Sequence, residues 1–276
     1  MKNIIVPVNF SANSNNAALY AADLALAVDA DIHLIYVLQL PPTTSEIPMT
    51  DYVFDEMQRN GELSLASLSE EIVKRTRLQV KVTSLMEIGS VEPVLEEYCN
   101  RLKPFLVVMG ATGNTLETTI AGSTTVKAMR RLPYPLLIVP EQAAFHAIKK
   151  VVLACELEDI GAGLPVSRSF LSELYQLFGS RFDVITVTGE VQESEAEAVS
   201  AFDSWKESIK DILPDVHILR MESIEEGINN YLNRIHADWL MIFPKKHRFF
   251  EFHSSRSKKI IKDCPVPVMT LHAIDQ

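Results

Sequence analysis

A chain of 276 residues is long for one hydrophobic core and comfortable for two. Its net charge of −10 excludes a general nucleic-acid binder, which needs a basic face to displace counterions, and its odd set of Cys99, Cys155 and Cys264, widely spaced, suggests neither a disulfide framework nor a metal site. No apolar run approaches the ~20 residues of a membrane-spanning helix, and Met1-Lys2-Asn3-Ile4-Ile5-Val6 enters a strand at once with no signal-peptide pattern, so a cytoplasmic protein is expected.

Asn3 to Val8 reads as a short apolar strand, left by Asn9-Phe10-Ser11. Ala17, Ala18, Ala21, Leu24, Ala25 and Val28 then recur at helical spacing, with Ser14 or Asn13 as the expected cap. Ile32 to Leu38 is a second strand, ended by Pro41-Pro42-Thr43-Thr44-Ser45. A helix is expected from about Asp51 to Lys74, either as a plain cover for the sheet or as a lid. Val80 to Met86 makes a third strand, and Gly89-Ser90 precedes an amphipathic helix carrying Val91, Val94, Leu95, Tyr98 and Leu102. Pro93 is compatible with that helix because it falls in the first turn.

The stretch Leu106 to Pro140 closes this half and organises the rest. Leu106-Val107-Val108-Met109 stops at Gly110, and Gly113 follows. Gly122-Ser123-Thr124-Thr125 opens a helical pattern with Val126, Met129 and Leu132, and Leu136-Leu137-Ile138-Val139 is the final strand. A helix N-terminus leaves backbone N–H groups unpaired at the positive end of a dipole, so glycines and hydroxyls placed just before it suit a phosphate.

The pattern then recurs. Lys149 to Ala154 answers Lys2 to Pro7, Phe182 to Val187 answers Ile32 to Val37, and Asp215 to Ile218 answers Gln79 to Val82. The helix from Ile224 to near Ile235 answers Val91 to Leu102, and Ala237 to Ile242 answers Pro104 to Met109. Pro133-Tyr134-Pro135 and Pro265-Val266-Pro267 each precede a last strand. The expected class is α/β: two tandem doubly wound domains, residues 1–142 and 148–276, each with a five-stranded parallel sheet covered on both faces. In such sheets ligands bind beyond the C-terminal strand ends where strand order reverses.

These residues resemble the universal stress protein family, specifically its tandem two-domain members with an adenine-nucleotide alpha hydrolase-like fold. The family's nucleotide-binding pattern is Gly, two residues, Gly, nine residues, Gly-Ser/Thr. Gly110 and Gly113 keep the first spacing, whereas eight residues, Asn114 to Ala121, precede Gly122-Ser123. Pro7-Val8-Asn9 stands where the family's ATP-binding members have Pro-x-Asp, so a carboxamide replaces a carboxylate. The resemblance implies that Pro7, Asn9 and Val37 surround adenine and ribose, and that Met109 and Gly110 begin the phosphate loop. It further implies that Gly113 admits the phosphates, with Gly122, Ser123, Thr124 and Thr125 donating to them. ATP or a related adenine nucleotide, accompanied by Mg²⁺, is the implied ligand. The second half has Pro244 to Ser255 in place of the glycine loop, with bulky side chains and no glycine, so one nucleotide at most is expected per chain. The resemblance also implies pairing of the two last strands within one chain, as a pseudo-dimer, or in a homodimer.

Other readings remain beside this one. A glycine loop of this kind is also a plain structural turn, which leaves a nucleotide-free scaffold or protein-interaction module as the alternative. No P-loop, Gly-x-Ser-x-Gly elbow or metal-ligand cluster is present, so an enzyme is expected to be at most a slow ATPase. Lys245, Lys246, His247 and Arg248 read as a solvated run of charge, and Trp205 and Trp239 read as core.

Overall fold

The computed structural model describes residues 2–40, 51–111, 128, 132–155, 168–188, 214–242, 260 and 264–271. The chain divides into two compact units, Met1–Phe145 and His146–Gln276.

In the first unit β1 (Lys2–Val8), α1 (Ala12–Val28), β2 (Ala30–Leu38), α2 (Asp51–Arg75), β3 (Val82–Ile88), α3 (Val91–Leu102), β4 (Leu106–Gly110) and β5 (Leu136–Val139) follow in order. The strands run in the order β3-β2-β1-β4-β5, and every pairing is parallel. The chain steps outward twice from β1 and then returns past it to β4. Right-handed crossovers therefore place α1 and α2 on one face and α3 on the other. The inner strands β1, β2 and β4 have both faces covered, which is why Ile4 to Val6 and Leu106 to Val108 are buried in unbroken runs, while β2 buries Ile32, Leu34 and Ile35 between partly exposed Asp31, His33 and Tyr36.

α1 is the central helix of this unit. Its buried face is mostly small, with Ala17, Ala18, Ala21, Ala22 and Ala25 between Tyr20, Leu24 and Val28. Alanines let the helix axis approach the sheet closely, and α1 packs on β1, β2, β4 and β5. The helix begins earlier than the expected caps at Asn13 or Ser14. Ser11 is the N-cap, accepting from the Ser14 N–H, because Asn9 folds the preceding turn back and starts the helix at Ala12. Lys2 at the start of β1 donates to the Val28 carbonyl and so caps the other end.

α2 is 25 residues long, but its buried face starts only at Gly61 and continues through Leu65, Leu68 and Ile72. A Cβ at Gly61 would lie 2.5 Å from Tyr36 Cε1, so the missing side chain is what lets α2 lie flat on β2. β3 begins at Val82 rather than Val80, and its register on β2, Ile32 with Val82 through Leu38 with Ile88, sets that shift.

In the second unit β6 (Lys150–Ala154), α4 (Arg168–Phe178), β7 (Arg181–Thr188), β8 (Asp215–Arg220), α5 (Ile224–Ile235), β9 (Trp239–Ile242) and β10 (Val268–Thr270) are described. The order β8-β7-β6-β9-β10 repeats that of the first unit, again all parallel. Trp239 is fully buried on β9, as its apolar setting implied, whereas Trp205 and the 244–255 loop lie outside the described residues. Lys149 and Lys150 donate to the Phe178 and Ile235 carbonyls, repeating the strand-to-helix capping made by Lys2. Asp238 accepts from the Lys149 and Lys150 N–H groups and so fastens the turn before β9 to the start of β6.

Candidate functional site

The strand order of the first unit reverses between β1 and β4. At the C-terminal ends of these strands and β2 lies a crevice of about 450 Å³, within the size range of small-molecule sites. Pro7, Asn9, Val37, Met109 and Gly110 all line it. Gly113, Gly122, Ser123, Thr124 and Thr125 lie outside the described residues. The crevice also takes in residues the sequence did not mark as site residues: Ser11, Asn13 and Ser14 at the start of α1, Tyr36 and Gln39 from β2 and just beyond it, Met57 from α2 and Val91 from α3. The three from α1 were within reach of sequence, since a strand end and the helix it feeds always share an edge. Met57 and Val91 arrive through helix placement, which no local pattern encodes.

The turn from β1 into α1 is built from its own side chains. Asn9 Oδ1 accepts from the Ser11 N–H at 3.1 Å and from the Ser11 hydroxyl at 2.8 Å. Ser11 Oγ in turn accepts from the Ser14 N–H at 3.3 Å, and Ser14 Oγ accepts from the Asn9 N–H at 3.0 Å. Between them Phe10 adopts φ of +62°, unusual for a bulky residue. Its ring lies 4.7 Å from that of Tyr36, and this contact helps hold the turn in a left-handed conformation. A local sequence of Asn-Phe-Ser-x-x-Ser thus closes a small cyclic network at the mouth of the crevice.

The end of β4 is held against the same helix. A Cβ on Gly110 would lie 2.6 Å from the Asn13 carbonyl oxygen and 2.8 Å from its carbon. Glycine is required here because the first turn of α1 passes directly over the strand. Asn13 Nδ2 donates to the Ala111 carbonyl at 2.7 Å, and Asn16 Nδ2 donates to the carbonyls of Pro140 and Ala143 at 3.0 and 3.1 Å. Two asparagines of α1, three residues apart, therefore clip the exits of β4 and β5. Asn13 Oδ1 is buried without a hydrogen-bond partner.

Among the described residues no charged side chain lines the crevice. Val37, Met57, Val91 and Met109 supply apolar wall, while Asn9, Ser11 and Gln39 supply neutral polar groups. The fixed electrostatic contribution is the positive end of α1, which favours an anion nearby. These residues offer binding surface and hydrogen bonds, with no carboxylate, imidazole or thiol among them to act as base or nucleophile. No group of three or more His, Cys, Asp or Glu suited to a metal ion occurs among the described residues.

Burial pushes the Cys99 and Cys264 thiols up to about 12, so both stay protonated at neutral pH. Burial also lowers His33 below its ordinary value, against a smaller opposing influence from Asp31. His33 Nε2 lies 3.0 Å from Asn3 Oδ1, and the Asn3 amide donates to the Leu102 carbonyl. The neutral imidazole with its proton on Nε2 satisfies that arrangement. No helix among the described residues is long and apolar enough to cross a membrane.

The model of the universal stress protein family matches residues 1–140. A universal stress protein of Methanocaldococcus jannaschii is 27% identical over 142 residues, covering 50% of this chain and 81% of that protein. Among solved structures, a universal stress protein from Archaeoglobus fulgidus superposes with a TM-score of 0.74 at 19% identity, covering 99% of this chain and 98% of that one. A protein of unknown function from Pseudomonas aeruginosa PAO1 gives a TM-score of 0.63 at 14% identity, covering 99% and 93%. The two structural likenesses extend over both units and establish the fold.

Proposed function

From the premise that this chain belongs to the universal stress protein family, we propose that its first unit binds ATP or a related adenine nucleotide as a regulatory ligand, in a cytoplasmic stress-response protein. The observation that carries this reading is the convergence of Pro7, Asn9, Val37, Met109 and Gly110 on one crevice at the sheet's reversal point. The apolar wall of Val37, Met57, Val91 and Met109 suits a flat base. Asn9 and Ser11 suit the sugar, and the start of α1 favours the phosphates electrostatically. Gly113 is proposed to admit the phosphates, with Gly122, Ser123, Thr124 and Thr125 as their donors. Any Mg²⁺ would be held chiefly by the nucleotide's own phosphates, since the described lining carries no carboxylate.

One nucleotide per chain is proposed. In sequence the run Leu106 to Met109 answers Trp239 to Ile242, and the stretch Pro244 to Ser255 that follows, outside the described residues, holds no glycine where the first unit has Gly110 and Gly113. The alternative reading is a nucleotide-free interaction scaffold, and the glycine loop one residue shorter than the family pattern favours it. Calorimetric titration with ATP and Mg²⁺ separates the two. One saturable site per chain, with a matching rise in thermal stability, supports the nucleotide reading, because binding to the native state alone must stabilise it. No heat and no stabilisation up to millimolar nucleotide leaves the scaffold.

A further inference from the structure

We infer that Asn9 makes the crevice select adenine nucleotides whose ribose carries an additional phosphate at its 2′ or 3′ position, over those with free ribose hydroxyls. The inference rests on the reading that adenine and ribose lie along Pro7, Asn9 and Val37.

The orientation of the Asn9 amide is fixed by its partners in the turn. The Ser11 backbone N–H is a donor only, so the Asn9 atom 3.1 Å from it must be the carbonyl oxygen. That oxygen also accepts from the Ser11 hydroxyl at 2.8 Å. The hydroxyl has no freedom to reverse, because its own oxygen accepts from the Ser14 N–H. Both acceptor positions of the Asn9 side chain are therefore used inside the turn. Its Nδ2 has no hydrogen-bond partner among the described residues, and the residue is exposed on the crevice wall. What Asn9 offers a ligand is an N–H donor.

A ribose hydroxyl is read best by a carboxylate, which accepts its proton. Asn9 has no acceptor left to do so, and can only donate to the hydroxyl's oxygen, a neutral hydrogen bond weaker than one to a phosphate. A phosphate oxygen is the complementary group: it accepts from Nδ2, and it meets no charge on this wall, since no acidic side chain lines the crevice among the described residues. An aspartate at the same position would keep the turn, because a carboxylate accepts the same two Ser11 hydrogen bonds. It would at the same time present negative charge to the added phosphate.

That near-isosteric exchange provides the test. The full chain and its Asn9→Asp variant are titrated with AMP, ATP, adenosine 3′,5′-bisphosphate and adenosine 2′,5′-bisphosphate, and thermal unfolding of the two proteins is compared without ligand. The expected result is that the wild type binds one of the bisphosphates at least about tenfold more tightly than AMP, as a hydrogen bond to a charged group warrants. Asn9→Asp, with unchanged unfolding temperature, is expected to lose that preference. Equal or weaker binding of both bisphosphates by the wild type overturns the inference and leaves the nucleotide reading standing. A preference that persists in Asn9→Asp overturns the role given to Asn9. Failure of all four compounds with both proteins overturns the nucleotide reading and the inference with it.

Discussion

Replacing Gly110 by alanine tests how the crevice is assembled. The added methyl carbon would lie 2.6 Å from the Asn13 carbonyl oxygen, 2.8 Å from its carbon and 3.1 Å from the Ser14 nitrogen. All three are backbone atoms, so no side chain can rotate away, and relief requires the first turn of α1 to lift off β4. Overpacking of this kind costs about 1–3 kcal/mol. Lifting the turn also stretches the bond from Asn13 Nδ2 to the Ala111 carbonyl, now 2.7 Å, worth about 1 kcal/mol. Against this stands a gain of roughly 0.5–1 kcal/mol from replacing glycine inside a strand. The net expectation is a loss of about 1–3 kcal/mol, or roughly 4–10 °C in the unfolding temperature of the first unit. Differential scanning calorimetry of the full chain reads it. Gly61→Ala is the comparator: the methyl there meets the Tyr36 ring at 2.5 Å, a side chain that can tilt, and it gains about 1 kcal/mol of helix propensity. Gly110→Ala must therefore cost clearly more than Gly61→Ala. Equal costs, or a Gly110→Ala protein within about 1 °C of wild type, would refute the close passage of α1 over β4.

Further expectations follow from single residues. Lys103 ends α3 in the left-handed conformation at φ of 45°, so Lys103→Gly should raise stability by about 1 kcal/mol in urea unfolding; a loss would contradict the cap geometry. His33 is held below its ordinary value by burial, so the unfolded chain takes up its proton first as pH falls. Stability should be full above about pH 6.5 and decline below it, and His33→Gln should flatten that decline relative to wild type. With Cys99 and Cys264 buried and their thiols near 12, a charged alkylating reagent should label Cys155 alone in the native protein and all three cysteines after unfolding. Rapid native labelling of Cys99 would show that α3 opens far more readily than its packing implies.

The alternation of apolar runs and helical stripes made the fold readable. Runs such as Ile32 to Leu38 are short, rich in Ile, Val and Tyr and closed by turn residues, which marks them as buried strands, and two Pro-x-Pro turns marked the repeat. Local boundaries were less readable. Ser11 rather than Asn13 or Ser14 caps α1 because the decision lies in the Asn9 turn, whose left-handed Phe10 no propensity favours. Helices α1, α3 and α5 end on Asp29, Lys103 and His236 in left-handed conformations, without the glycine that usually signals such an end. At the crevice, strand-end residues were legible because apolar runs stop visibly at Asn9 and Gly110. The packing at Gly110 was not: the backbone of α1, nearly a hundred residues earlier in the chain, lies where a side chain would go.

Methyl spectra of the full chain, recorded with and without saturating adenine nucleotide, show where the nucleotide sits. Shifts are expected on the methyls of Val37, Met57, Val91 and Met109, with those of Leu153, Val184 and Met241 in the second unit unmoved. Shifts centred on the second unit, or none in either at millimolar nucleotide, would contradict nucleotide binding in the first unit.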